Sequence, residues 1–261
     1  MSTTSAKSVV FITGAFFGQN CWDEWIMHFE RQGYACIAPS WPSKFGAPEQ
    51  LRNQHPDANI ASNRLESLIH YFATIIYALP YPPVIIGHSL GGLVLQLLLQ
   101  RGLGSAGIAI HSFPVLNSIP LKFSAIKMCW ECMDIFSSTH KSYMISFKKW
   151  KNEFANGMTC ERQKDSFYKY ATPESKLIIR DTLKCVGEIN FTKPHAPLLF
   201  TSGGYDQFIP AEMNYKNYLD YKKGPSTTEY MHFRYHNHLV FENFVCREQA
   251  DFIIRWLQAL T

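Results

Sequence analysis

The sequence predicts an α/β fold: a mostly parallel central sheet with helices on both faces and a helical cap inserted late in the chain. Three observations carry this. Short apolar runs alternate with stretches of helical period. Some of those runs, such as Val84-Ile85-Ile86, are apolar throughout, as strands covered on both faces are. Finally, 46% of the 261 residues are hydrophobic, enough to fill one large core.

The elements follow in order. Ser8–Thr13 reads as a strand that ends at Gly14. Over Trp22–Arg31, the residues Trp22, Trp25, Ile26 and Phe29 fall at helical spacing, and Gly33 supplies a stop. Tyr34–Ala38 is the second strand, closed by Pro39 and Pro42. Asn63–Leu79 carries Leu65, Leu68, Ile69, Phe72, Ile75 and Ile76 on one helical face, and Pro80 ends it. Val84–Ile86 is the third strand, Leu90–Gln100 an apolar helix closed by Gly102, and Gly107–Ile110 the fourth strand. Leu198–Thr201 and Thr228–Phe233 are the last strands, and Arg247–Leu260 is a terminal amphipathic helix.

The stretch 113–197 breaks the alternation. It is rich in Met, Cys, Phe, Tyr and Trp, is helical in period and shows no obvious strand. The expectation is one structural domain, with core segments 1–112 and 198–261 and a helical cap over 113–197 above the sheet's C-terminal edge, where open α/β sheets place their sites.

Composition narrows the function. The net charge of +4 comes from scattered Lys and Arg, without the basic cluster that tracks a phosphate backbone, so nucleic acid is not an expected partner. The apolar run Val9–Ile12 is too short for a secretory signal, and no stretch reaches the roughly 20 apolar residues of a membrane span. A cytoplasmic protein without an integral membrane segment is expected. The seven cysteines are irregularly spaced. Cys129 and Cys132 match C-x-x-C, but no second pair completes a metal site, so free thiols and no metal are expected.

Gly87-His88-Ser89-Leu90-Gly91 matches G-x-S-x-G between an apolar strand and a helix. In that setting a serine sits on a very tight turn, and side chains at Gly87 and Gly91 would strike neighbouring backbone. Ser89 is therefore the candidate nucleophile, with the Leu90 N–H as one oxyanion donor. A serine hydroxyl needs a base, and the base an orienting acid. Asp206, in the Gly-rich turn after Leu198–Thr201, is the candidate acid. The base should follow the last strand, where both His236 and His238 fall, and spacing alone does not separate them. The second oxyanion donor should come from the loop Thr13–Gly18. Ala15 is the candidate and Phe16 the alternative. Phe16, Met128 and Phe136 are the expected substrate contacts. No cofactor is required by this chemistry.

Along essentially its whole length the chain resembles the α/β-hydrolase superfamily, most closely its lysophospholipase/esterase-like bacterial and fungal members. The resemblance rests on Cys21–Trp25, Gly33-Tyr34 leading to Ala38–Pro42, the turn at Ser89, Ala196–Leu199 and the Gly203–Pro210 turn. It also rests on a Glu-Tyr strand with Phe four residues on from the Glu and the base five residues further, a spacing that selects His238. Where these members often carry His-Gly, this chain has Thr13-Gly14. The resemblance implies hydrolysis of a carboxylic ester, from a small or lipid-like hydrophobic substrate, through an acyl-enzyme. Amide or carbon–carbon cleavage by the same residues, or a catalytically slow small-molecule receptor, are the alternatives. Substrate identity and oligomeric state do not follow from the sequence.

Overall fold

The computed structural model describes residues 7–114, 138–183 and 189–260. Six strands form one sheet: β1 (Ser8–Ile12), β2 (Ala35–Ile37), β3 (Val84–His88), β4 (Ala106–Ile110), β5 (Leu198–Gly203) and β6 (Thr228–Phe233), in the order β2-β1-β3-β4-β5-β6. Every pairing is parallel. Register runs through the central strands as Phe11 opposite Ile86, Ile86 opposite Ile108, and Ile110 opposite Thr201. β3, β4 and β5 are buried at every residue, which explains the apolar runs that open them. The edge strand β2 and the outer strand β6 keep exposed positions.

The helices are α1 (Asp23–Glu30), α2 (Pro48–Asn53), α3 (Ala58–Ala61), α4 (Leu65–Tyr77), α5 (Leu90–Gln100), α6 (Cys160–Tyr170), α7 (Lys176–Leu183), α8 (Ala211–Tyr221) and α9 (Asn243–Ala259). Two helix pairs, α1 with α9 and α4 with α5, pack together alongside the sheet. All six expected strands are present. α1 begins at Asp23 because Gln19–Trp22 winds as a tighter turn that buries Trp22. α9 begins four residues before the expected Arg247, and the N–H of Asn243 is held by the Glu24 carboxylate at 2.8 Å. α2 and α3 were not expected, since six and four residues are too few to show a period.

Because β1 leads outward to β2 and the chain then returns to β3 on the other side of β1, the strand order reverses between β1 and β3. Crevices form at the C-terminal ends of strands at such a point. Here those ends carry the loop 13–18 and the turn at Ser89. Residues 143–176 lie over the same edge. The main chain of Phe17 bridges to Ala171, and the N–H of Gly18 donates to the Tyr170 carbonyl at 3.0 Å. Trp150 and Phe154, on a wide turn closed by an Ala155 N–H to Trp150 carbonyl bond, stack with ring centroids 5.1 Å apart. Both rings pack against Phe17, at 5.2 and 5.6 Å. Among the described residues no helix is long and apolar enough to cross a membrane.

Candidate active site

Ser89 stands between β3 and α5 with φ 53° and ψ −120°, a conformation that a residue with a side chain occupies only under strain. Its neighbours hold it there. The Ser89 N–H donates to the Ile110 carbonyl at 3.0 Å, and the Ser89 carbonyl accepts from Gly92 and Phe113 at 2.9 and 2.8 Å. The flanking glycines are required by close approach: a Cβ on Gly87 would lie 2.2 Å from the Gly91 carbonyl oxygen, and one on Gly91 would lie 2.2 Å from that of Ile12. Leu90 is the first residue of α5, so its N–H has no partner within the helix and stands at the positive end of the helix dipole. Ser89 is 2% exposed.

Asp206 is fully buried in the turn after β5. Its Oδ1 accepts the N–H groups of Phe208 and Ile209 at 2.9 and 2.8 Å. Its Oδ2 accepts from two imidazoles, His238 Nδ1 at 2.7 Å and His111 Nδ1 at 3.0 Å. Burial alone would raise the carboxyl pKa, but the adjacent His238 and the hydrogen bonds from both rings hold it below the ordinary carboxylate range. Asp206 is thus an ionised acceptor of four hydrogen bonds.

His238 follows β6 and is buried among aromatic rings, with Phe208 at 4.9 Å and Phe154 at 5.0 Å between centroids. Its Nδ1 is committed to Asp206, while its Nε2 is buried with no hydrogen-bond partner. His236 turns elsewhere: its Nε2 pairs with Glu248 at 2.6 Å and its Nδ1 with Gln249 at 2.9 Å. Of the two histidines that spacing left open, the one on Asp206 is His238.

The loop after β1 reaches the same point. A Cβ on Gly14 would lie 2.7 Å from the Ser89 Cβ. The Phe16 N–H, the alternative donor, is directed at Glu174 Oε2, 3.2 Å away. That carboxylate also takes the Lys44 ammonium at 2.8 Å and the Ser175 N–H at 2.9 Å, inside a region where the Lys44 and Glu174 side chains are 2% and 1% exposed. The Phe16 ring is buried against Tyr143 and Phe154, at 5.9 and 6.4 Å. Met128 and Phe136 lie outside the described residues.

Sequence reasoning missed His111, Lys44 and Glu174. His111 follows β4 directly at the sheet's C-terminal edge, a position that could have flagged it. Nothing in the local sequence marks Lys44 or Glu174, which meet across 130 residues. The ligand atoms of His111, Asp206 and His238 lie within 4.8 Å of one another, close enough to hold a metal ion. However, hydrogen bonding already accounts for the grouping, because each Nδ1 must carry a proton to donate to Asp206.

The family model for the alpha/beta hydrolase family matches residues 9–247. The chain belongs to that family. Solved structures of other α/β hydrolases superpose on it closely. A methylesterase, MES16, from Arabidopsis matches at TM-score 0.66 and 13% identity, covering 97% of this chain and 99% of that one. A monoacylglycerol lipase from Paleococcus ferrophilus matches at TM-score 0.67 and 17% identity, over 97% and 95%. Methylketone synthase I of tomato, complexed with 2-tridecanone, matches at TM-score 0.69 and 13% identity, over 98% and 100%. At these identities the likeness is one of fold. No curated protein matches the sequence.

Cavities among the described residues also lie apart from Ser89. One of about 430 Å³, between Tyr34, Tyr81 and Leu257, opens at the N-terminal edge of the strands, the opposite side of this α/β hydrolase from Ser89. Another of about 180 Å³ opens beside Asn237, Leu239 and Phe241, next to His238 in the chain.

Proposed function

We propose that this α/β hydrolase is a serine hydrolase that cleaves a carboxylic ester of a small or lipid-like hydrophobic substrate through an acyl-enzyme. The observation that carries the reading is the buried Asp206 carboxylate, held by backbone N–H groups on one oxygen and by His238 Nδ1 on the other. A carboxylate fixed in this way selects the His238 tautomer with a bare Nε2, the form a general base needs.

In the proposed sequence Ser89 Oγ attacks the ester carbonyl as His238 Nε2 takes its proton. The tetrahedral oxyanion is stabilised by the N–H groups of Leu90 and Ala15; the contact of the Phe16 N–H with Glu174 at 3.2 Å supports Ala15 over Phe16 as the second donor. His238 returns the proton to the departing alcohol. Water then attacks the acyl-enzyme by the same route, releasing the carboxylic acid and restoring Ser89. The aromatic surroundings of His238, including Phe154 and Phe208, favour an apolar substrate.

Labelling with a fluorophosphonate, followed by a panel of acetyl to octanoyl esters, tests this. Covalent label on Ser89 and rates that rise with chain length are expected, since each buried CH₂ contributes about 0.8 kcal/mol. Absence of label on the folded protein would overturn the serine mechanism. A flat chain-length profile would overturn the apolar substrate preference.

A further inference from the structure

Behind Asp206 lies a chain of side chains that the acyl transfer itself does not use. Asp206 Oδ2 accepts from His111 Nδ1 at 3.0 Å. His111 Nε2 meets Gln249 Nε2 at 3.3 Å, and the same amide nitrogen meets His236 Nδ1 at 2.9 Å. The other atom of that amide, Gln249 Oε1, accepts from the Thr201 hydroxyl at 3.3 Å. His236 Nε2 then pairs with Glu248, whose side chain is 43% exposed.

Donor and acceptor counting fixes every proton along this chain. Asp206 is ionised and can only accept, so His111 Nδ1 carries a hydrogen. The Gln249 amide nitrogen can only donate, so the His111 Nε2 that it meets at 3.3 Å holds a lone pair, and burial of the ring acts in the same direction. Gln249 meets that lone pair with an N–H. Its second amide hydrogen goes to His236 Nδ1, leaving His236 Nε2 to donate to Glu248.

We propose that Gln249 is a positioning residue for the hydrolase reaction, donating both amide hydrogens to hold His111 as the neutral Nδ1–H tautomer and so reserving the Asp206 charge for His238. Without that constraint His111 competes on equal terms for the same oxygen. As an imidazolium it would take the stronger, charge-assisted bond to Asp206 and weaken the support of the His238 cation that forms during the reaction. The groups that face His111 are Asp206 from the turn after β5, His88 from β3 at 6.4 Å between centroids and His238 from the loop after β6 at 6.2 Å. Gln249 and, beyond it, His236 and Glu248 face it from the side of α9. Asp206 is the carboxylate among these in direct contact, so the charge state of His111 turns on what stands at position 249.

The proposal rests on the serine-hydrolase reading for its catalytic half and on geometry alone for its tautomer. Histidine ¹⁵N NMR on the whole protein, with His111→Asn for assignment, reads the tautomer without any substrate. The expected wild-type result is a protonated Nδ1 and a bare Nε2 on His111 from pH 8 to pH 6. A His111 that is doubly protonated, or protonated only on Nε2, would overturn the proposal whatever the enzyme does. Gln249→Glu replaces the donor with an acceptor and should protonate both nitrogens. Its kcat should fall with KM little changed, and the acid limb of kcat/KM should move by about one pH unit to lower pH. Gln249→Met, which removes the donor without adding an acceptor, should move that limb in the same direction by less than Gln249→Glu does, and a folded Gln249→Met protein with a wild-type limb would also count against the catalytic half. A folded Gln249→Glu protein whose pH profile superposes on wild type would overturn the catalytic half. If instead the wild type takes no fluorophosphonate, the serine chemistry and the catalytic half fail together, while the NMR spectrum still decides the tautomer.

Discussion

His88 donates its Nε2 hydrogen to the main-chain carbonyl of His238 at 3.0 Å, and the two rings lie 4.5 Å apart between centroids. The residue just before Ser89 is thereby tied to the backbone of the residue proposed to activate it. The Ser89 turn and the loop after β6 are thereby held together.

If His238 is the general base, His238→Ala should lower kcat for ester hydrolysis by a factor on the order of 10⁶, as the loss of a triad member does elsewhere. His236→Ala should have a far smaller effect on kcat, because His236 pairs with Glu248 and Gln249 and not with Asp206. Steady-state kinetics on both variants separate the roles; a dead His236→Ala beside a nearly normal His238→Ala would reverse the assignment.

Gly91→Ala should destabilise the fold by about 3 kcal/mol or more, since overpacking against fixed backbone leaves no room to relax. The added methyl would meet the Ile12 carbonyl oxygen at 2.2 Å, pressing β1 away from the Ser89 turn. Urea unfolding measures the loss, and a wild-type midpoint would contradict the close approach of these two backbones.

Lys44→Met leaves the Glu174 carboxylate buried without its cation, a change that typically costs about 3–5 kcal/mol. The double variant Lys44→Met/Glu174→Gln should recover much of that stability. Because Glu174 also holds the Phe16 N–H, the single variant should slow phosphonylation of Ser89 more than it weakens substrate binding. A double-mutant cycle with additive effects would show the pair to be uncoupled.

Burial, helped by the neighbouring His238 and His111, pushes the His88 imidazole well below the ordinary 6.5, and burial likewise lowers His111. A base depressed in the folded state binds its proton first in the unfolded chain. Its stabilising contribution is therefore complete above about pH 6.5 and falls as pH drops below it, by up to about 1.4 kcal/mol per pH unit for each such group. Asp206 is lowered as well, but for a carboxylate this favours the charged form, so it adds a further loss of stability below about pH 4. Urea midpoints at pH 7, 6 and 5 should fall steadily, and less steeply in His88→Gln. A flat series would contradict neutral buried histidines.

The strands were legible because a sheet buried on both faces leaves an unbroken apolar run, as in β3, and the Ser89 turn because glycine is forced at two close approaches. The Gly-rich turn at Asp206 and the histidines after β6 stood where chain order places them. What the sequence did not show depends on contacts between distant residues. His111 looks like any residue closing a strand until Asp206 arrives from 95 positions away, and Lys44 looks like a surface lysine until Glu174 covers it. Helix starts such as Asn243 were missed because the Glu24 carboxylate that receives its N–H comes from the other end of the chain.

The order of these residues along the chain has a consequence for synthesis on the ribosome. Ser89 and the loop after β1 precede the segment 113–197, whereas Asp206, His238 and Gln249 follow it, on elements that pair with or pack beyond β4. A nascent chain can complete β1, β3 and β4 and set Ser89 on its turn while no acid or base yet exists to act on it. The proposed reactive centre is assembled only when the last strand and helix emerge, so on that reading a truncated product carries an inert serine rather than an unguarded hydrolase.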